Sequence, residues 1–254
     1  MHSHIDFGYG WQWTSGHLVI TAIFLPLFIL AWKRKWSRWR QGLLLAVTLW
    51  SLAAFVIVRF VLDFNGRTEL PTQSFLRSGT GRVLDMGAGS GRSSLMVLEA
   101  RPQATLVALD LFGESYAEHF NVSGTDVGTA KLRANLQAAG VENRASIQPG
   151  DMRQMPFEPA TFDAIVSAYA IDHLNRTGME KALREANRVL KPGGEFLMMV
   201  IAKDAWLDFA WGPVIMHGGT PRPERWVRAL NATGFDVVEQ GKRPATLFFF
   251  AHKR

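Results

Sequence analysis

A run of thirteen residues, 82–94 (RVLDMGAGSGRSS), constrains the fold of this chain more than any other. Val83 and Leu84 are typical of the end of a buried parallel strand, and residues 93–100 are typical of the helix that follows. Three alternate glycines, at 87, 89 and 91, lie between them. Because glycine has no Cβ, the chain can turn sharply there and a ligand can approach the backbone closely. The run therefore predicts a strand, a turn and a helix whose free N–H groups face a ligand.

The spacing of the glycines indicates which ligand this is. A dinucleotide fold uses G-x-G-x-x-G with a pyrophosphate at the helix N-terminus, whereas the spacing here is G-x-G-x-G. The strand also carries an acid, Asp85, two residues before the first glycine. A carboxylate there would repel a pyrophosphate and suits a ligand that carries an ammonium and a sulfonium. These features disfavour an NAD-dependent oxidoreductase.

A second acid completes the pattern. Residues 105–110 (TLVALD) form another apolar strand, and it ends in Asp110, where a carboxylate can take both hydroxyls of a ribose. Asp85, the three glycines and Asp110 together resemble motif I and the following acid of the class I S-adenosylmethionine (SAM)-dependent methyltransferases. The resemblance implies SAM as the cofactor.

Two further segments extend the resemblance to about residues 80–254. Residues 150–157 (GDMRQMPF) match the family's G-D-x-x-x-x-P-F segment, whose acid accepts a hydrogen bond from the adenine amino group while the next residue lines the ring. Residues 188–194 (RVLKPGG) match the sequence that precedes the family's fifth strand. The cofactor-binding residues that we predict are Asp85, Gly87, Ala88, Gly89, Gly91, Asp110, Leu111, Asp151, Met152 and Ser167.

Alternating strand and helix patterns predict the fold class independently of the resemblance. They favour an α/β fold with an open sheet. The resemblance implies that this is the family's seven-stranded Rossmann-like methyltransferase sheet, which ends in an antiparallel hairpin. The predicted strands end at or cover 83–84, 105–110, 145–148, 161–167, 195–201, 236–239 and 246–252, and the predicted helices cover 93–100, 130–139, 179–190 and 223–232.

The first 80 residues differ from the rest in composition. They hold eight Lys and Arg against three Asp and Glu, and six of the nine tryptophans. Residues 18–32 are apolar without a charge, and residues 43–62 contain one charge, Arg59. A helix over the second run would be about 30 Å long, the thickness of a bilayer's hydrocarbon core. We therefore predict a membrane anchor over residues 1–65 with two hydrophobic helices, a linker over 66–80 and a methyltransferase domain over 81–254. The alternative is a buried helical hairpin that covers the catalytic domain.

A basic loop joins the two apolar runs. Residues 33–40 (KRKWSRWR) interleave five cations with tryptophans, which predicts an anchor on anionic headgroups and lipid contact through residues 11–62. The positive-inside rule places this loop in the cytoplasm, so two spanning helices would separate the catalytic domain from cytoplasmic SAM. We give the need for SAM the greater weight. The prediction is a bacterial-type inner membrane with the catalytic domain facing the cytoplasm, and a monotopic or re-entrant insertion stays open.

Composition excludes several function classes. The chain has no cysteine, so disulfides, thiolate nucleophiles and cysteine-ligated metals are excluded, and with them thiol-dependent methylation of cytosine C5 and arsenic. Residues 81–254 hold 20 basic and 19 acidic residues and so lack the basic footprint of a nucleic-acid enzyme. We predict no metal site and no nucleic-acid partner, and leave the oligomeric state open.

The best base for the reaction follows the fourth strand. His173 has a suitable pKa, and the adjacent Asp172 can tune it; the alternative is a histidine that only bonds the backbone of its own loop. Tyr169 is expected to line the adenine or the methyl acceptor. The predicted catalytic residues are therefore His173, Asp172 and Tyr169, and His119 and His217 are weaker candidates.

Two unusual segments bear on the acceptor. Residues 111–129 are longer than a strand-to-helix connection needs, and side chains such as Glu114, Tyr116 and Glu118 predict a lid or substrate wall, against a solvated excursion. The aromatic, Met-containing stretch 206–216 indicates, with the anchor, a small apolar or lipid-soluble acceptor, against simple packing over the sheet. Quinone precursors, phospholipid headgroups and small hydrophobic thiols or phenols all stay open. So does a membrane-anchored SAM-binding module without catalysis.

Overall fold

The computed structural model describes residues 5–112, 129–202, 204–212 and 222–254, which fall into two compact units. The sheet unit contains described residues 5–7, 67–112, 129–202 and 222–254, and the hairpin unit contains residues 8–66 and 204–212. In chain order the elements are α1 (Trp11–Lys33), α2 (Arg38–Ile57), β1 (Thr80–Met86), α3 (Arg92–Ala100), β2 (Gln103–Asp110), α4 (Thr129–Ala138), β3 (Ala145–Pro149), β4 (Phe162–Ala168), α5 (Arg176–Val189), β5 (Leu190–Ile201), α6 (Ala205–Trp211), α7 (Pro223–Ala232), β6 (Phe235–Arg243) and β7 (Thr246–Lys253).

The sheet unit confirms the predicted fold. Its seven strands lie in the order β3-β2-β1-β4-β5-β7-β6. Strands β1 to β5 are parallel, and β7 pairs antiparallel with both β5 and β6. The strand order reverses between β1 and β4, and ligands of open α/β sheets bind beyond the carboxyl ends of the strands at such a reversal.

Both faces of the sheet are covered, and the buried positions of the central strands are accordingly mostly apolar. Successive residues of β1 enter two different apolar clusters, Val83 on one face and Leu84 on the other, and both side chains are fully buried. Leu95 of α3 packs in the first cluster, and Trp226 of α7 packs in the second. Residues 67–79 add Phe75, also fully buried, to the first cluster.

One strand begins earlier than the sequence pattern predicts. Strand β5 starts at Leu190, which pairs with Phe162, and regular pairing with β4 resumes at Glu195. Residues 191–194 therefore form an irregular insertion within the strand rather than a turn before it. Gly194 is needed there, because a Cβ at this position would lie 2.9 Å from the carbonyl oxygen of Asp163.

The hairpin unit contains the two predicted apolar helices. α1 has 23 residues, and α2 continues through a π-helical turn, Val58–Leu62, to a total of 25 residues. At about 1.5 Å per residue these helices are about 34 and 37 Å long, enough to cross a hydrocarbon core of about 30 Å. Only 11% and 22% of their apolar windows are buried, unlike the core helices of a soluble domain.

Small and polar side chains line the inside of this unit. His17 and Ala31 are the buried residues of α1, and the hydroxyls of Thr21 and Ser51 lie 2.8 Å apart between the helices. The short helix α6 packs there as well, since the Ala210 carbonyl oxygen is 2.7 Å from His17 Nε2. The described part of the stretch 206–216 therefore packs with the hairpin, and the remainder lies outside the described residues.

Candidate active site

The glycine turn joins β1 to α3 at the edge where the strand order reverses. Gly87, Gly89 and Gly91 all have positive φ, at +84°, +52° and +92°, a region that favours glycine. The N–H groups of Gly87 and Ala88 both donate to the Leu109 carbonyl, at 2.9 and 3.0 Å. These two bonds fix the turn against the end of β2.

Two of the three glycines are needed for packing, and the third borders open space. A Cβ at Gly87 would lie 2.3 Å from the Ala170 methyl, and a Cβ at Gly91 would lie 2.4 Å from Leu132 Cδ1. Among the described residues, no atom lies within 4 Å of the position that a Cβ on Gly89 would occupy. This space beside Gly89, called the cradle below, is the candidate position for a bound cofactor.

Asp110 closes one side of this cradle. It is the last residue of β2, and its carboxylate accepts hydrogen bonds from the N–H of Gly89 (2.7 Å) and of Leu111 (2.7 Å). The carboxylate therefore lies directly against the turn, and as a carboxylate it is an acceptor of hydrogen bonds. A ribose, which presents two hydroxyls as donors, suits this position.

Asp85 is fully buried beneath the turn. Its oxygens accept hydrogen bonds from the hydroxyls of Ser93 (2.8 Å) and Ser94 (2.5 Å), in the first turn of α3. Burial raises the pKa of this carboxyl to about 7; the two serine bonds oppose the shift, and the charge of Asp110 adds to it. Asp85 thus ties β1 to α3, and its protonation can change near neutral pH.

Asp151 and Met152 follow β3 on the loop predicted to hold the adenine. The Asp151 carboxylate binds the Arg153 guanidinium through Nε at 2.9 Å and Nη2 at 2.6 Å. The Met152 methyl lies 2.9 Å from the position that a Cβ on Gly87 would occupy. Met152 is therefore next to the glycine turn, whereas the Asp151 carboxylate is engaged by a neighbour on its own loop.

The residues after β4 are held by the sheet itself. The Ser167 hydroxyl donates to the Met86 carbonyl at 2.8 Å, and the Tyr169 hydroxyl lies 2.7 Å from the Thr246 hydroxyl. Tyr169 has a positive φ of +55°. The polar ends of both side chains thus bind other strands, and Tyr169 can present only its ring to a ligand.

Asp172 and His173 lie in a 3-10 turn, Ile171–His173, beyond the end of β4. One Asp172 oxygen accepts a hydrogen bond from the Ile201 N–H at 3.0 Å. The other oxygen is buried without a hydrogen-bond partner among the described residues. His173 is exposed to solvent.

The structure also shows residues that the sequence reading missed. Ser93 and Ser94, which hold Asp85, could have been found from the pair of hydroxyl residues that begins two positions after the last glycine. Asn135 of α4, buried and bonded to the Ser90 carbonyl at 2.8 Å, gives no comparable signal, because no motif contains it. The predicted lid residues Glu114, Tyr116 and Glu118, and the weaker candidates His119 and His217, lie outside the described residues.

Comparisons with known proteins agree with this geometry. Residues 84–198 match the family described as "Methyltransferase domain". A ubiquinone/menaquinone biosynthesis C-methyltransferase of Bartonella tribocorum is 31% identical over 129 residues, which cover 50% of this chain and 44% of that protein. A sterol 4-C-methyltransferase of Caenorhabditis elegans is 29% identical over 120 residues, which cover 47% of this chain and 31% of that protein. These matches thus span less than half of each curated relative.

A solved structure supports the fold. The O-methyltransferase family 2 protein of Planctomyces limnophilus superposes with a TM-score of 0.54 at 19% identity, over 86% of this chain and 62% of that one. At this identity the likeness concerns the fold alone. The matched family, the strand order and the cradle at Gly89 point to the same cofactor chemistry.

Proposed function

We propose that the chain is a membrane-associated, SAM-dependent methyltransferase of class I with a small apolar or lipid-soluble acceptor; the match of residues 84–198 to the methyltransferase domain family supports the methyltransferase part of this proposal. The observation that carries this proposal is the outward-facing apolar surface of the hairpin unit, for example Ile23 (53% exposed) and Leu49 (57% exposed). If this surface lies in lipid, the methyltransferase domain of the same chain is held at the membrane, where lipid-soluble acceptors are concentrated.

The cradle residues fit SAM by their chemistry. SAM supplies the methyl group, already activated on a sulfonium, and the leaving group. In the proposed site Asp110 accepts the ribose hydroxyls and Met152 lines the adenine. The turn gives the cofactor a close approach at Gly89, where no side chain intervenes.

The chain's own task in the reaction is to align the acceptor and exclude water. Positioning of this kind supplies on the order of 7–11 kcal/mol. We assign the acceptance of a proton from an acceptor hydroxyl to His173, which is exposed to solvent, with Asp172 as its acidic neighbour in the same 3-10 turn. The ring of Tyr169 is assigned to the wall of the site.

The acceptor class rests on the hairpin surface and on the relatives. One relative is named for ubiquinone and menaquinone biosynthesis and another for a sterol. A ring compound that dissolves in the bilayer is the acceptor class that agrees with both the apolar hairpin surface and the names of these relatives. A phospholipid headgroup that is methylated on nitrogen is the second acceptor compatible with a membrane anchor.

The proposed location is a bacterial-type inner membrane with the sheet unit in the cytoplasm, where SAM is available. Trp32, Trp36 and Trp39 are exposed around the basic turn between α1 and α2, as expected of side chains at a headgroup layer. Residues 11–62 would contact lipid, either as two spans or as a re-entrant insertion.

The test is methyl transfer by the full chain in nanodiscs of bacterial lipid that contain a prenylated benzoquinol and a sterol. We expect label from methyl-labelled SAM in the neutral lipid fraction, and none with Asp110→Ala. Label in phospholipid headgroups would identify the phospholipid acceptor instead. SAM binding without label in any fraction would indicate a binding module without catalysis.

A further inference from the structure

The Asn135 side chain joins three parts of the sheet unit. Its Oδ1 accepts a hydrogen bond from the Asp6 N–H (2.9 Å), and its Nδ2 donates to the carbonyls of Asp6 (2.8 Å) and Ser90 (2.8 Å). Asn135 is 2% exposed, so these bonds form in a buried setting where an unmade bond is costly. One amide thus connects residue 6, helix α4 and the glycine turn.

Residue 7 binds the same turn from a second direction. The Ser90 hydroxyl donates to the Phe7 carbonyl at 2.8 Å, and the Arg92 guanidinium lies 4.8 Å from the centre of the Phe7 ring. Phe7 is 6% exposed and belongs to the core cluster that contains Leu132. Asp6 adds an ion pair with Lys131 at 2.9 Å. Residues 5–7, named the strap below, are therefore bound by polar and apolar contacts.

The strap contacts Ser90, the residue between the second and third glycines of the turn. Ser90 is flanked by Gly89 and Gly91, which have the largest conformational freedom of any residue type and lose it when the turn is ordered. Both the carbonyl and the hydroxyl of Ser90 are bonded to Asn135 or to the strap. The turn has therefore already lost this conformational entropy in the unliganded protein. Less entropy is lost on binding, and the affinity for a ligand is higher.

We propose that the strap orders the glycine turn and slows release of the cofactor, with Asn135 and Phe7 as positioning residues. The inference rests on the proposed function, because the ligand is taken to be SAM. The coupling is reciprocal: the factor by which the bound strap raises the affinity for SAM is also the factor by which bound SAM favours the bound position of the strap. Only residues 8–10 separate Phe7 from the start of α1 in the sequence.

The experiment measures the rate of SAM release from the full chain in nanodiscs. We expect Phe7→Ala to speed release, and to raise Kd, by about fivefold or more, while kcat at saturating SAM stays within about twofold. Phe7→Leu, which keeps the apolar contact, should bring the release rate and the Kd most of the way back to the wild-type values. The control is Arg67→Ala, which removes a 2.7 Å ion pair with Glu99 on α3 of the same unit and should leave release unchanged.

Limited proteolysis of residues 1–10 gives the reciprocal measurement. Saturating SAM should protect this segment in wild type, and protection should be lost in Phe7→Ala. Should Phe7→Ala fail to fold, Ser90→Ala removes only the bond to the Phe7 carbonyl and should show a smaller change of the same sign.

The outcomes separate this inference from the proposed function. Wild-type protein that folds but binds no SAM would overturn both. Wild-type protein that binds SAM, combined with unchanged release from a Phe7→Ala variant whose strap is open to protease, would overturn the strap alone.

Discussion

The two units of this molecule bury opposite kinds of side chain. The largest fully buried side chains of the sheet unit are aromatic, such as Phe162, Phe196 and Phe235. In the hairpin unit the buried residues of α2 are Thr48, Ser51 and Ala54, while large apolar side chains point outward. Water drives apolar groups inward, whereas helices in lipid associate through small and polar residues. This difference supports the proposal that lipid, rather than water, surrounds the hairpin unit.

The largest expected effect tests the sheet unit through two matched glycines. Gly89 and Gly140 both have positive φ (+52° and +67°), and a Cβ on either would meet no atom of the described residues within 4 Å. Each change to alanine should therefore cost about 1–2 kcal/mol of unfolding free energy. Only Gly89→Ala should also weaken SAM binding, by at least about 100-fold, or about 3 kcal/mol, because its methyl fills the cradle. Titration and chemical denaturation measure both quantities; equal SAM affinities would show that the cradle is elsewhere.

The second prediction tests the hairpin unit with a matched pair of exposed apolar residues. Ile23 lies within α1 and is 53% exposed, and Val238 lies on β6 and is 58% exposed. A lysine at the centre of a spanning helix costs about 2.5–3.5 kcal/mol, whereas a lysine on a wet surface costs little. Ile23→Lys should reduce the membrane fraction in flotation assays, and Val238→Lys should not. Equal flotation of the two variants would contradict a lipid environment for α1.

A third prediction uses the raised pKa of Asp85. A positively charged ligand favours the ionised carboxylate, so SAM affinity should rise with pH by up to about tenfold per unit and level off above about pH 7.

In the absence of ligand, the stability of the protein should change with pH in the opposite direction to the SAM affinity. The native state holds this proton more tightly than the unfolded chain, so the free energy of unfolding should fall as pH rises from about 4 to about 7. Asp85→Asn should remove the pH dependence of the SAM affinity, measured by titration, and of the free energy of unfolding, measured by denaturation. An unchanged pH dependence in this variant would assign it to another titrating group.

The smallest effect compares two fully buried serines, one in each unit. Ser94 donates to the Asp85 carboxylate, and Ser51 lies 2.8 Å from the Thr21 hydroxyl. Above pH 7, Ser94→Ala should cost about 1.5–3 kcal/mol because the bond is to a charge. Ser51→Ala should cost about 0.6 kcal/mol, the average for such bonds in a membrane. Denaturation of the full chain in lipid measures both, and a larger cost at Ser51 would reverse the comparison.

The sheet could be predicted from the sequence because its signals are local. Residues such as Asp85 and Asp110 end apolar runs at fixed distances from the glycines, and each predicted strand matched an observed one to within a few residues, apart from β5 and β6. β5 starts earlier than predicted because Leu190 already pairs with β4, and residues 191–194 form an irregular insertion within the strand. β6 runs on past a shift in register between Val237 and Glu239, which strand alternation does not reveal.

What could not be predicted depends on contacts far apart in the sequence. Asn135 meets Asp6 across 129 residues, and nothing in the neighbouring residues of either marks the pair. Helix α6 was missed because it is short; its N-terminal signal is Asp204, which accepts a hydrogen bond from the Leu207 N–H at 2.9 Å. The packing of α6 with the hairpin rather than the sheet follows from Ala210, whose small side chain fits against Ala54 and Val58.

The most direct test of the central claim is calorimetric titration of the full chain in nanodiscs with SAM and, separately, with NAD. We expect SAM to bind to the wild type, this binding to be lost in Asp110→Ala, and NAD to bind to neither. Thermal unfolding of Asp110→Ala controls for the lost bond to the Gly89 N–H. Folded wild-type protein that binds NAD, or that binds neither ligand, would contradict the account.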